Sequence, residues 1–172
     1  MRAARNQGFT LIELLIVVAI IGIIAAAATP GLLRSRMSAN EASAVASLRA
    51  INSAQVNFGG NCAQGTFANS LASLAVPPVP GGPPFLSEDL ASDPSLKSGY
   101  VVTLLPGAAA GGGVSVCNGT ATVVSYAVTA APIGPGSTGT RYFFTNSGTI
   151  WHDTAPIAPV QTGSPATGTA VQ

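Results

Sequence analysis

The feature that most constrains this chain is a nearly unbroken apolar run over residues 9–29, close to the N-terminus. As a helix, about twenty residues extend roughly 30 Å, the thickness of a bilayer's hydrocarbon core. The segment can therefore span a membrane. Arg2 and Arg5 precede it, and the cytoplasmic bias of positive charge would leave the short N-terminus inside and send everything after the helix outside. A single ionisable residue, Glu13, interrupts the run. A carboxylate in a lipid-facing helix is costly, so it needs a partner or a function.

Three readings compete for such a segment. A secretory signal peptide would be cut near residues 25–28, and a plain signal anchor would never be cut. Both leave Glu13 unexplained. The third reading rests on the string Gly8-Phe9-Thr10-Leu11-Ile12-Glu13, which resembles the processing motif of type IV prepilins and of the pseudopilins of type II secretion. The resemblance implies that a membrane-embedded aspartyl peptidase cuts after Gly8 on the cytoplasmic side and methylates the new amine of Phe9. The apolar helix is then kept, unlike a signal peptide's.

That arrangement is physically coherent. A small residue at Gly8 lets the backbone enter a protease cleft, and cleavage creates a positive amine at Phe9. The resemblance gives Glu13 a partner, the N-terminal amine of a neighbouring subunit, and a buried charge is tolerable when paired. Two further residues fit. Gly22 is a weak helix former, and Pro30 lacks a backbone donor and clashes with the preceding turn. In the resembled family the stretch between them loses regular helical bonding on assembly; the simpler alternative is close helix packing at Gly22 and a kink at Pro30.

Beyond Pro30, Leu33, Met37, Val45, Leu48, Ile51 and Phe58 recur at spacings compatible with one helical face. The helix is expected to continue, amphipathic, to about Phe58 and to end at Gly59 and Gly60. Ser38 followed by Glu41 has the form of a capping box, which allows a helix restart after Pro30-Gly31. Residues 76–85, dominated by Pro and Gly, predict an extended loop. Residues 99–105 and 122–130 read as strands, with a Gly-rich loop between them and a short edge strand at 114–117. Residues 141–145 and 149–151 flank Asn146-Ser147-Gly148, whose residue types favour a tight reversal and a hairpin. Residues 155–172, rich in Pro, Thr, Gly and Ser, show no periodicity and predict a mobile tail.

The expected fold class is α+β: a long N-terminal spine helix packed against a small antiparallel β-sheet head. The expected segments are a leader over 1–8, a membrane and assembly half of the helix over 9–30, an amphipathic half over 31–58, a β head over 59–154 and the tail. The closing residues 126–128, 139–144 and 148–151 are loosely similar to the last sheet of many pilin-like proteins.

The 172 residues suit one modest domain, and only 8% of them are charged, with a net charge of +1. No basic face for nucleic acid is in prospect. Two cysteines, Cys62 and Cys117, are too few for a zinc site and too far apart for a redox CxxC pair. In an oxidising compartment they would close a loop of about fifty residues, worth roughly 4 kcal/mol; the alternative is two buried thiols.

Little else carries chemistry. His152, the only histidine, adjoins Asp153 with no second ligand near in sequence, which favours a structural role. Glu88, Asp89 and Asp93 match no EF-hand spacing and read as a solvated acidic turn rather than a calcium site. Asn118-Gly119-Thr120 fits a glycosylation sequon, but Asn-Gly is also a turn pair. Tyr142, Phe143, Phe144 and Trp151 invite comparison with an electron-conducting set, yet alternating strand aromatics more often form a sheet core. Phosphate-loop, nucleophile-elbow and zinc-protease motifs are missing, so no enzyme and no cofactor is expected.

The resemblance therefore implies a structural filament subunit, held in the inner membrane by one helix, trimmed by the prepilin peptidase and methyltransferase, and lifted by the inner-membrane assembly machinery into a fibre of identical subunits at the cell surface. The rival within the family is a type II secretion pseudopilin; the major pseudopilins' C-terminal acidic calcium loop is not evident. The rival of another class is a singly anchored periplasmic binding protein or enzyme. Adhesion, twitching motility, DNA uptake or electron transfer would be set by partners and surface loops.

Overall fold

The computed structural model describes residues 8–111 and 116–171. The chain is α+β: a long helix α1 (Leu11–Asn61) is followed by short strands and one further α-helix. Contacts divide it into a unit ending at Arg36 and a unit beginning at Met37. In the first unit every described residue is exposed, including Leu11, Ile12, Leu14, Val18, Ile21 and Ile24. The helical assignment runs through Pro30 without interruption. Thr29 Oγ donates to Ala25 O at 2.8 Å, a local bond common where helix geometry bends.

In the second unit α1 buries Glu41, Ala44, Leu48, Ile51, Gln55 and Phe58, steps of three and four that make one helical stripe. The stripe begins at Glu41; Leu33, expected on it, is exposed. Two expectations about helix ends are corrected. Ser38 and Glu41 do not start a helix, because both lie inside α1 and Glu41 turns its carboxylate elsewhere. Gly59 and Gly60 do not end it either. Gly59 sits in the last turn because a Cβ there would stand 2.9 Å from Thr66 O. The stop comes at Gln64 and Gly65, both at positive φ, with Ala63 N donating to Phe58 O, a six-to-one bond of the kind that closes a helix C-terminus, and Gly65 N donating to Gly59 O.

After α1 come β1 (Phe67–Ala68), α2 (Leu71–Ala75), a 3-10 turn (Glu88–Leu90), β2 (Ser95–Lys97), β3 (Tyr100–Pro106), β4 (Thr122–Val123), β5 (Tyr126–Pro132), β6 (Tyr142–Asn146), β7 (Thr149–Asp153) and β8 (Thr169–Ala170). The main sheet is antiparallel in the order β2-β3-β5-β6-β7-β8, and β1 pairs with β4 separately. The hairpin expected around Asn146-Ser147-Gly148 forms between β6 and β7, with Ser147 and Gly148 both at positive φ. The strand expected over 122–130 is two strands: at Val124 and Ser125 the backbone pairs with Ala108 and Gly107 instead, so β4 leaves for the small sheet. Of the expected edge strand at 114–117, residues 114 and 115 lie outside the described residues, while Val116 and Cys117 enter a turn closed by Gly119 N on Val116 O.

Both faces of the sheet are covered. Tyr100, Val102, Leu104, Tyr126, Val128, Ala130 and Phe143 join Ala44, Leu48, Ile51 and Phe58 of α1 in one core. On the opposite face Ala127 and Phe144 pack with Leu105 and Trp151 under Ile157 and Val160. The mobile tail expected over 155–172 is thus corrected for its described part. Asn146 donates to Val160 O and Gly163 O, Gln161 to Leu105 O, and β8 pairs with β7. Three apolar side chains, Ile157, Val160 and Val171, together with backbone-directed amides, suffice to lay down a segment without period.

Candidate functional site

The N-terminus of α1 is the first place where sequence and geometry meet. Thr10 is the residue before the helix, and Glu13 is three residues later. Thr10 N and Thr10 Oγ both donate to Glu13 Oε2, at 2.9 and 2.7 Å, while Glu13 N donates back to Thr10 Oγ at 3.3 Å. This is a reciprocal capping box, in which the threonine hydroxyl and the glutamate carboxylate each satisfy a first-turn donor. The carboxylate is thereby aimed back toward Phe9, and its second oxygen, Oε1, has no partner among the described residues. Phe9 is 85% exposed, and nothing lies within 4 Å of the Cβ position at Gly8, Gly22 or Gly31. The apolar stretch that follows is long enough to cross a membrane, and none of its window is buried.

The other singled-out residues fall in the second unit. Cys62, at the end of α1, and Cys117 form a disulfide with Cα atoms 4.9 Å apart, and Cys117 N donates to Cys62 O. Asp89 pairs with Lys97 and accepts from Ser87, which together hold its carboxyl below the usual range. Asp93 accepts from Leu104 N at 3.2 Å and Leu71 N at 3.5 Å. Glu88, Asp89 and Asp93 are thus not gathered around a common centre, and no metal-holding group of acidic, His or Cys side chains occurs among the described residues. His152 Nε2 lies 3.2 Å from Thr169 Oγ, beside β8. Phe143 and Phe144 are buried on opposite faces of the sheet, with Trp151 beside Phe144. Asn118 donates its amide to Ser73 O and Val76 O and accepts from Thr120, tying the disulfide loop to α2.

The profile of the prokaryotic N-terminal methylation motif matches residues 3–29. The chain is also 50% identical over 54 residues to the type IV major pilin protein PilA of Myxococcus xanthus. By this motif and this relative, the chain is similar to the type IV pilins. The match to the Myxococcus pilin covers 31% of this chain and 24% of that relative, so the chain spans about a quarter of the length of the curated relative it matches. No solved structure matches the chain.

What the family motif does not announce is a set of polar residues on the buried stripe of α1. Glu41, only 6% exposed, accepts from Thr140 N at 2.8 Å, Thr140 Oγ at 3.0 Å and Arg141 N at 3.3 Å, and from Arg141 Nε and Nη2, each at 2.7 Å. Burial pushes its carboxyl up, but the bonds from Thr140 and Arg141 outweigh burial and leave it below the usual glutamate value. Asn52 donates to Thr145 Oγ and accepts from Tyr126 OH, whose titration burial pushes up to about 12. Gln55 satisfies both backbone groups of one residue, donating to Ala68 O and accepting from Ala68 N. The only sequence signal for these three is that a polar residue interrupts an apolar stripe, which the eye assigns to the solvent face.

Proposed function

We propose that this chain is the structural subunit of a type IV pilus, cut after Gly8, methylated on Phe9 and assembled into an extracellular helical filament. Its work is association rather than catalysis, in keeping with the family's structural character. The observation that carries the reading is Glu13, a lone carboxylate in an apolar, wholly exposed helix start, with one oxygen held by Thr10 and the other unpartnered. Cleavage after Gly8 would place a cation on Phe9. In a packed bundle of such helices, the unpartnered oxygen of one subunit can accept from the amine of another, which fixes their register by pairing two charges that lipid disfavours.

The same reading gives Gly22 and Pro30 a role. Neither contributes a full set of helix-stabilising interactions, and the open surface at Gly22 admits a neighbouring helix closely. Before assembly, α1 anchors the chain in the inner membrane with the Met37 unit outside, handled by the prepilin peptidase and the assembly machinery.

Intact-mass and N-terminal peptide analysis of the chain from its cells tests this. The expected species begins at N-methylated Phe9, and an unprocessed Met1 form or a start near residue 28 contradicts it. Electron microscopy of sheared surface fractions is expected to show fibres containing the chain. Confinement to the periplasm would assign it to the pseudopilins instead.

A further inference from the structure

The charges of the unit beginning at Met37 are few, and almost all are used internally. It contains three cations, Arg49, Lys97 and Arg141, and five anions, Glu41, Glu88, Asp89, Asp93 and Asp153. Lys97 pairs with Asp89, and Arg141 with Glu41. Asp93 is bonded by Leu71 N and Leu104 N, and Asp153 by Thr154 N and Ala155 N. Among the described residues of this unit, that leaves one cation and one anion whose side chains have neither a hydrogen-bond nor an ion-pair partner: Arg49 and Glu88, both exposed.

Their placement is as informative as their signs. Arg49 lines an open cleft of 340 Å³ with Arg141, Phe143, His152 and Val171, where α1 meets the β7–β8 edge of the main sheet. Glu88 begins the 3-10 turn that packs against β2, the opposite edge. Across the sheet from β2 to β8 the strand spacings put those edges about 24 Å apart, so the two groups do not neutralise each other within one copy. The cleft carries a local excess of positive charge in a unit that is otherwise net negative.

We infer that Arg49 of one copy pairs with Glu88 of the next, the β2 edge of one head meeting the α1/β7–β8 cleft of its neighbour. The occupant is a second copy because the complementary group is carried by the same chain. Opposite charges on opposite edges make a heterologous contact, which repeats without closing and generates an open helical filament. Arg141, already bound to Glu41 and 42% exposed on its side chain, strengthens the field that Glu88 meets. The inference rests on the filament reading above. It adds a contact between heads to the contacts between apolar helices, and that exposed contact is more sensitive to salt than the buried Glu13–amine pair among the helices.

The test is charge exchange in the full chain, expressed in its own cells, with the singly changed chains Arg49→Glu and Glu88→Arg and the doubly changed chain. All three should be processed at Gly8 like the original, because neither residue is near the helix start. Each single change should lower sheared-fibre yield about fivefold or more, and its fibres should dissociate at lower salt. The double change should restore both measures. Single changes with full yield and unaltered salt tolerance overturn the pairing, as does a double change no better than the singles. Absence of fibres from the unaltered chain overturns the filament reading itself, and this inference with it.

Discussion

The two halves of α1 are built to the same backbone geometry and differ in where their partners are. From Leu11 to Arg36 every side chain is exposed, with apolar residues on all sides and one carboxylate. From Met37 to Asn61 one stripe is buried under the sheet, and its polar members Glu41, Asn52 and Gln55 all have partners within the chain. A helix that is apolar all round requires lipid or other helices, whereas a striped helix is complete within its own domain. The difference separates two jobs along one element. The first half has its side chains exposed, and the second holds the head together.

Changes in the second half and the head should therefore alter head stability while leaving membrane insertion and processing intact. The largest effect is expected from Cys62→Ser with Cys117→Ser. Opening a loop with a sequence separation of 55 residues should cost about 4 kcal/mol, read as a lowered melting temperature of the full chain in detergent. Next comes Glu41→Ala, which leaves Arg141 and Thr140 N without their acceptor and should cost about 3 kcal/mol. The same carboxylate predicts an acid effect. Its value in the folded chain is lowered, so its contribution is fully present above the ordinary glutamate value and is lost as pH falls through the lowered one. Glu41→Gln should remove that component from the pH profile of melting. A smaller effect, about 2 kcal/mol, is expected for Ile157→Ala, which uncovers Phe144 and Ala127.

These contrasts also show what could be read in advance. The long apolar helix, the α+β class and the β6–β7 hairpin follow from local signals: a long apolar run, a 3.6-residue stripe and a Ser-Gly pair able to take positive φ. Glu13 stood out by chemical contrast with its neighbours. Its cap was less visible, because Thr10-x-x-Glu13 and Ser38-x-x-Glu41 have the same spacing and only the actual helix start distinguishes them. At Ser38 the helix is already formed, so Glu41 is free to reach across to Thr140 and Arg141. Elements of two or three residues, such as β1, β4 and β8, exist through pairing with distant strands and have no local pattern of their own. The segment after Asp153 reads as disordered by composition, yet Asn146 and Gln161 hold it by bonds to and from backbone carbonyls that composition does not encode.

The claim that the first half of α1 is an assembly surface is tested most directly by Glu13→Ala, measured as incorporation into fibres against membrane insertion and head melting. The account predicts a chain that inserts and melts like the original but is missing from the filament, since removing the carboxylate leaves the head untouched and the neighbour's amine unpaired. Fibres of normal yield built from the Glu13→Ala chain would contradict it.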